Sequence, residues 1–127
     1  MKDNDEVFDT NLIREVIYTD EFKSFYDNLD EKVQKKISYV ISVVESLYVV
    51  NSEFVKKLEE TDYPLYEMRV SVGSNEYRTI IFSIDNDNFM QATRVLLLNS
   101  FLKKSSKDYK KQLKIAERLL DKLKTDD

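Results

Sequence analysis

The segment from Pro64 to Lys104 constrains the fold most, because it contains three strand-like runs joined by short polar turns. In the first run, from Leu65 to Val72, apolar and polar residues alternate with the period of a half-buried strand. The second run, Tyr77 to Ile84, is apolar on both faces, and Val95 to Leu98 forms a third. The only glycine, Gly73, lies in the first turn, where a positive φ is most useful. Three such runs predict an antiparallel meander.

The segments around the meander predict helices and one more strand. Leu12 to Tyr18 reads as a first strand, and Asp20 to Val49 reads as a helical hairpin with one apolar face. Phe54 to Leu58 suggests a single helical turn, and the chain ends in a helix that follows Ser105 and carries an apolar stripe from Leu113 to Leu123. The predicted order is β-α-α-β-β-β-α. This is an α+β fold in which the helical hairpin packs on a small, mostly antiparallel sheet, with a C-terminal helix.

Composition narrows the domain count and the chemistry. A length of 127 residues predicts one domain, which we place at residues 12–124 after a flexible acidic tail at residues 1–11. The absence of His and Cys excludes histidine triads and thiolate or imidazole zinc sites, so neither a metal nor a cofactor is expected. The sequence shows no signal peptide and no membrane-spanning run, which predicts a cytoplasmic protein without a membrane partner.

Charge is distributed unevenly along the chain. The net charge is −4, yet residues 94–124 hold ten Lys and Arg against three Asp and Glu. Residues 1–30 show the reverse, with three basic residues against nine acidic ones. The net charge argues mildly against a nucleic-acid partner. The basic C-terminal part is the more informative pattern, because a partner senses the local field within a Debye length of about 8–10 Å.

Several segments, taken together, resemble a known family. These are Lys56 to Glu59, the Tyr66-Glu67-Met68-Arg69 run, the Tyr77-Arg78 pair and Asn99 to Ser105. In this order and spacing they resemble the RelE/ParE toxin superfamily, in particular its HigB-like, phage-derived branch of type II toxin–antitoxin systems. The resemblance covers about residues 12–124 and implies a RelE-like fold. It also implies a ribosome-dependent mRNA endoribonuclease that a small helix-turn-helix antitoxin inhibits.

The resemblance assigns the candidate catalytic residues, and each has a structural alternative. Metal-independent RNA cleavage needs preorganised cations for the charge that develops on the phosphorane, together with groups that move protons. Arg78 is expected to contact the phosphate, although an ion pair with Glu67 would also satisfy it. Arg69 either binds phosphate or remains a solvated strand residue. Glu67 is either a base or, as we favour, the residue that orients the two arginines.

The remaining candidates lie in the basic C-terminal part or on the segment before the meander. Tyr109 is expected to stack on a base or take part in proton transfer, or else simply to pack on the sheet edge. Lys103 and Lys104 precede the last helix and are expected to bind phosphate. Lys57 and Lys107 complete the predicted substrate-binding set. The expected partners are the antitoxin, the ribosome and mRNA. The alternative function is a non-catalytic relative that poisons DNA gyrase or only binds an antitoxin.

Overall fold

The computed structural model describes residues 12–125, so the predicted tail at residues 1–11 lies outside the described residues. The elements of this range are β1 (Glu15–Tyr18), α1 (Asp20–Asp27), α2 (Glu31–Ser46), β2 (Val55–Lys57), β3 (Leu65–Val72), β4 (Asn75–Ser83), a 3-10 turn (Phe89–Gln91), β5 (Arg94–Leu102) and α3 (Ser106–Thr125). None of the helices in this range combines membrane-spanning length with sufficient apolarity.

The five strands form one sheet in the order β1-β5-β4-β3-β2. The pairs β2–β3, β3–β4 and β4–β5 are antiparallel, and only β1 runs parallel to its neighbour β5. The predicted α+β fold and the central meander are therefore confirmed. Gly73 has a φ of 62°, as its place in the β3–β4 turn predicted.

One predicted element is wrong. The segment from Phe54 to Leu58 was expected to form a helical turn, but Val55–Lys57 is the edge strand β2, paired with β3. The backbone N–H of Arg69 donates to the carbonyl of Phe54 at 2.7 Å, which extends this pairing. The observed order is therefore β-α-α-β-β-β-β-α, with a strand added at the edge of the sheet next to the candidate site.

The helical hairpin α1–α2 covers one face of the sheet. Both helices begin at residues whose side chains accept a backbone N–H, Thr19 from Phe22 at 3.1 Å and Asp30 from Val33 at 3.0 Å. The apolar faces of the hairpin pack on the β3 side chains that point toward it, including Met68 and Val70. The alternation of apolar and polar residues in β3 predicted that these side chains share one face. This cluster is the larger of the two parts of the core.

Helix α3 covers the opposite face. Ala116 and Leu120 pack against Leu65, Ile80 and Leu98 in a second cluster of buried residues. The apolar stripe predicted for this helix ends before Leu123, whose side chain is exposed. Because α3 begins directly after β5, its first turn lies over the same sheet face as the polar residues of β3, and this position defines the candidate site.

A buried arginine joins the end of α2 to the 3-10 turn. The guanidinium of Arg14 donates to the carbonyls of Val44, Leu47 and Tyr48, and also to those of Phe89 and Met90, at 2.6–3.2 Å. It lies 4.6 Å from the centre of the Phe89 ring. Backbone carbonyls at a helix C-terminus carry partial negative charge, so they stabilise this cation without a carboxylate from residues 12–125.

Candidate active site

An open cavity of about 440 Å³ lies where β2, β3 and the β5–α3 connection meet. Its lining shares a polar and largely basic character and comprises Lys56, Lys57, Leu58, Glu59, Glu67, Arg69, Lys103, Lys104, Ser105, Ser106 and Tyr109. The structure thus brings together six of the eight residues that the sequence analysis selected. Four of the six, Arg69, Lys57, Lys103 and Lys104, are cations, so the cavity concentrates positive charge on a chain whose net charge is negative.

Glu67 is the buried centre of this cavity. Its side chain is 8% exposed, and its Oε1 lies 3.4 Å from Arg69 Nε and 3.7 Å from Arg78 Nε. Its other oxygen, Oε2, accepts a hydrogen bond of 2.5 Å from the phenol of Tyr109. A buried carboxylate is stable only when it is paired and hydrogen-bonded, and these three partners satisfy that requirement.

Arg78 lies behind Glu67 and does not line the cavity. Its side chain is 4% exposed, and its Nη1 donates to Glu76 Oε1 at 3.2 Å and to the carbonyl of Tyr77 at 3.1 Å. Its Nε is buried without a hydrogen-bond partner among the described residues, although Glu67 is close. Arg78 is held between the carboxylates of Glu67 and Glu76. An ion pair of this kind is the alternative to phosphate contact that the sequence left open.

The second of these carboxylates, Glu76, is itself fixed in place. Ser71 Oγ lies 2.7 Å and 2.8 Å from its two oxygens. This hydrogen bond and the nearby guanidinium of Arg78 lower the pKa of the Glu76 carboxyl. Arg69 and Arg78 are directly opposite in the β3–β4 register, where like charges repel. Glu67 and Glu76 offset that repulsion.

Tyr109 is placed by the start of α3. Ser105 Oγ accepts the backbone N–H of Asp108 at 3.2 Å, so the helix begins beside the cavity. The Tyr109 ring packs edge-on against Phe101, with 5.7 Å between the ring centres. Burial and the hydrogen bond to Glu67 raise the pKa of the Tyr109 phenol above its usual value, so the phenol remains protonated and acts as a donor toward Glu67.

The predicted lysines divide between two surfaces. Lys57, Lys103 and Lys104 line the cavity of Glu67, whereas Lys107 lies on the outer face of α3. There it borders a separate depression with Lys110, Lys111 and Lys114. The structure therefore does not bring Lys107 together with the other candidates.

Sequence reasoning missed Lys56 and Glu76. Lys56 lines the cavity and is the register partner of Glu67 across β2 and β3. The position of Lys56 opposite Glu67 depends on the β2–β3 register, which the sequence of β2 does not specify. Glu76 precedes Arg78 by two positions on β4, which is the same-face spacing of a strand, so the period-2 rule would have indicated this pair.

Comparison with known protein families identifies the family of this chain. Residues 24–121 match the family model described as phage-derived protein Gp49-like (DUF891). The chain belongs to the Gp49-like family. No curated protein sequence is significantly similar to this Gp49-like chain.

Solved structures of RelE proteins share the fold of this Gp49-like protein. A double arginine-to-alanine variant of E. coli RelE in the free state has a TM-score of 0.57 at 14% identity, covering 81% of this chain and 97% of that one. RelE in the intact E. coli RelBE toxin–antitoxin complex has a TM-score of 0.51 at 15% identity, covering 72% and 99%. RelE in the archaeal RelE–RelB complex from Pyrococcus horikoshii has a TM-score of 0.51 at 14% identity, covering 75% and 100%. These similarities confirm the RelE-like fold, whereas the HigB-like branch stays a prediction.

Proposed function

We propose that this Gp49-like chain is the toxin of a type II toxin–antitoxin pair and cleaves mRNA on the ribosome. The observation that carries the proposal is the cavity in which Glu67 and Tyr109 share a hydrogen bond beneath the rim cations Arg69, Lys103 and Lys104. The match to the Gp49-like family and the fold shared with RelE proteins from toxin–antitoxin complexes support the same assignment.

The rim cations bind the RNA backbone and stabilise the reacting phosphate. Arg69 is one-third exposed, and its Nε lies near Glu67, so its remaining N–H groups face the cavity and a bound phosphate oxygen. Lys57, Lys103 and Lys104 supply further charge around it. Preorganised cations of this kind act on the charge that develops on the phosphorane, which is usually the largest single contribution to catalysis.

Glu67 and Tyr109 move the protons. The 2′-oxygen attacks the adjacent phosphorus as Glu67 accepts the 2′-hydroxyl proton. The bond from phosphorus to the 5′-oxygen breaks, and the 5′-oxygen takes the phenolic proton of Tyr109. Glu67 returns its proton to Tyr109 along their hydrogen bond. The products are a 2′,3′-cyclic phosphate and a 5′-hydroxyl, and both side chains end in their starting states.

Arg78 acts through Glu67 rather than on the phosphate. Because Arg78 is buried between Glu67 and Glu76, its role is to hold the Glu67 side chain in its orientation. This revises the direct phosphate contact expected from the resemblance. Since the chain has no imidazole, cleavage of free RNA is slow, and the ribosome contributes by aligning the 2′-oxygen with the phosphate.

The partners follow from this function. The chain binds a helix-turn-helix antitoxin, acts on ribosome-bound mRNA in the cytoplasm, and uses residues 12–124 as its toxin domain.

The test is cleavage of a defined mRNA on purified, programmed ribosomes. The wild-type chain yields fragments ending in a 2′,3′-cyclic phosphate, and Arg69→Ala lowers the rate by about 10²–10³-fold. The matched control is Arg94→Ala, which removes an exposed arginine that pairs with Glu15 away from the cavity and should leave the rate unchanged. Equal rates for Arg69→Ala and the wild type would contradict the role of Arg69.

The burial of Arg78 keeps a second candidate function open. A chain that cannot present this arginine to phosphate is also compatible with a RelE-fold protein that binds gyrase or an antitoxin without catalysis. A wild-type chain that leaves ribosome-bound mRNA intact but impairs DNA supercoiling by gyrase would establish this alternative and reject the nuclease.

A further inference from the structure

Strand β5 contains a β-bulge within its pairing with β4. Two residues of β5, Leu98 and Asn99, lie opposite the single β4 residue Ile80. Side chains alternate between the two faces of a strand, and one extra residue reverses the alternation for the residues that follow it. Leu98 and Phe101 are three positions apart, yet both pack in the cluster of buried residues beneath α3. The bulge therefore turns the last part of β5 so that Asn99 and Phe101 meet α3.

The side chain of Asn99 binds α3 through its amide N–H groups. Asn99 is 5% exposed, and its Nδ2 donates to the backbone carbonyl of Gln112 and to Gln112 Oε1, each at 3.1 Å. The backbone carbonyl can only accept a hydrogen bond, which fixes the orientation of the Asn99 amide. Gln112 lies three positions after Tyr109, and residues at this spacing are neighbours on one helix face. Asn99 thus holds α3 about one turn beyond the phenol that donates to Glu67.

We propose that Asn99 is a positioning residue for the reaction, because its contact with Gln112 sets the place of Tyr109 relative to Glu67. This inference rests on the proposed function, in which the Tyr109 phenol supplies a proton. A proton donor must stay within hydrogen-bond reach of the groups it serves, and a displacement of about 1 Å can cost about 10²-fold in rate. Phe101, which the same bulge turns toward α3, contacts the Tyr109 ring edge-on. The bulge in β5 therefore supplies two of the contacts that locate the phenol.

Stability alone does not account for an amide at this position. Asn99 Oδ1 is buried without a hydrogen-bond partner among the described residues. A buried acceptor that lacks a partner lowers the stability of the fold, whereas an apolar side chain of similar size would fill the same space without that cost. Gln112 is only partly buried, so water can satisfy its polar groups when Asn99 is replaced. An amide that lowers stability is expected where the geometry of a functional site matters more.

The test is the substitution Asn99→Leu in the full chain. Single-turnover cleavage of mRNA at saturating ribosome concentration should slow by about 10–10²-fold, because the phenol is displaced from Glu67. The ribosome concentration that gives half of the maximal rate should stay the same, since Asn99 does not line the cavity of Glu67. The urea midpoint should equal that of the wild type or exceed it, because leucine removes the unsatisfied acceptor. A residue needed only for stability would give the reverse pattern.

A double-mutant cycle identifies the residue through which Asn99 acts. The Tyr109→Phe chain has no phenolic proton to position, so adding Asn99→Leu to it should slow cleavage by less than about twofold. The matched control is Tyr63→Phe, which removes a hydroxyl that donates to Asp121 near the far end of α3. This control also loses a hydrogen bond between the sheet side and α3, but one far along the helix from Tyr109, so it should leave the cleavage rate unchanged.

A measurement that needs no cleavage separates this inference from the nuclease. When meta-fluorotyrosine replaces Tyr109 alone, fluorine NMR at neutral pH reports the surroundings of the phenol. Asn99→Leu should move this signal toward its position in the urea-unfolded chain, whereas Tyr63→Phe should leave it in place. A moved signal in a chain that leaves ribosome-bound mRNA intact would retain the contact that positions Tyr109 and reject the nuclease.

Several results would overturn the proposal. These are a wild-type cleavage rate or an unmoved fluorine signal in Asn99→Leu, and a rate loss that is equally large in the Tyr109→Phe chain. A lower urea midpoint for Asn99→Leu, or its failure to fold, would assign Asn99 to the stability of the fold and would also overturn it.

Discussion

Replacement of Arg78 by Met separates the positioning role of this arginine from direct phosphate contact. Methionine keeps an unbranched apolar side chain of similar length but removes the charge and every N–H donor. In the folded chain this leaves Glu67 with Arg69 and Tyr109 as its only partners among the contacts described above. The variant therefore weakens the pairing of a carboxylate whose side chain is 8% exposed.

The magnitude follows from burial. Removing one partner of a buried ion pair typically costs about 3–5 kcal/mol. Because Glu67 retains two partners, we expect the lower end, about 3 kcal/mol. With an m-value of about 1.5 kcal/mol/M, the urea midpoint falls by roughly 2 M at neutral pH. Arg94→Met is the matched control. Arg94 and its partner Glu15 are both more than half exposed, so it should cost at most about 1 kcal/mol.

A double-mutant cycle with Glu67→Gln isolates the interaction. Once the carboxylate is neutral, the loss of Arg78 leaves no unpaired charge, so the second substitution should cost less. We expect a coupling free energy of about 1–3 kcal/mol between the two sites. A cost below about 1 kcal/mol for Arg78→Met, with coupling near zero, would refute the positioning role. A stable Arg78→Met chain that has lost all cleavage would point to direct phosphate contact.

Three further predictions concern other parts of the molecule. Arg14→Met should lower the free energy of unfolding by about 3 kcal/mol or more, since it strands several buried carbonyls; a loss below about 1 kcal/mol by urea unfolding would contradict this. Tyr109→Phe should slow cleavage by about 10²–10⁴-fold and cost about 1.5–3 kcal/mol of stability, and an unchanged single-turnover rate on ribosomes would reject the proton relay. The depressed pKa of Glu76 means that its contribution to stability is present above its unfolded-state pKa and is lost as the pH falls through the folded value. Glu76→Gln should therefore flatten the loss of stability below about pH 5, and identical acid profiles for the two chains would argue against it.

The parts of the fold that the sequence predicted are those with a regular hydrophobic period. The alternation in β3 assigned Met68 to one face and Glu67 to the other, and the structure confirms both assignments. The three-residue strand β2 has no such signal, because its two consecutive lysines give no period and its pairing partner lies about ten positions away. An edge strand of this kind is specified by its neighbour rather than by its own residues.

The sequence predicted which residues belong to the candidate site better than it predicted how they are arranged. Strand parity correctly placed Arg78 on the sheet face shared with Ile80, but its exposure depends on how two carboxylates and α3 close around it. Arg14 left no sequence signal, because its five acceptors within the described part of the chain are backbone carbonyls, which every residue carries. Interactions between a side chain and the backbone across about 30 to 76 positions become visible only in three dimensions.

The sheet has its shortest strands at its two borders. Within residues 12–125, β1 and β2 have four and three residues, whereas the interior strands β3, β4 and β5 have eight or nine. Long unpaired borders invite strands of other chains to join, and short ones offer few free backbone groups for that purpose. A strand of another chain that paired with β1 or β2 would therefore gain few backbone hydrogen bonds.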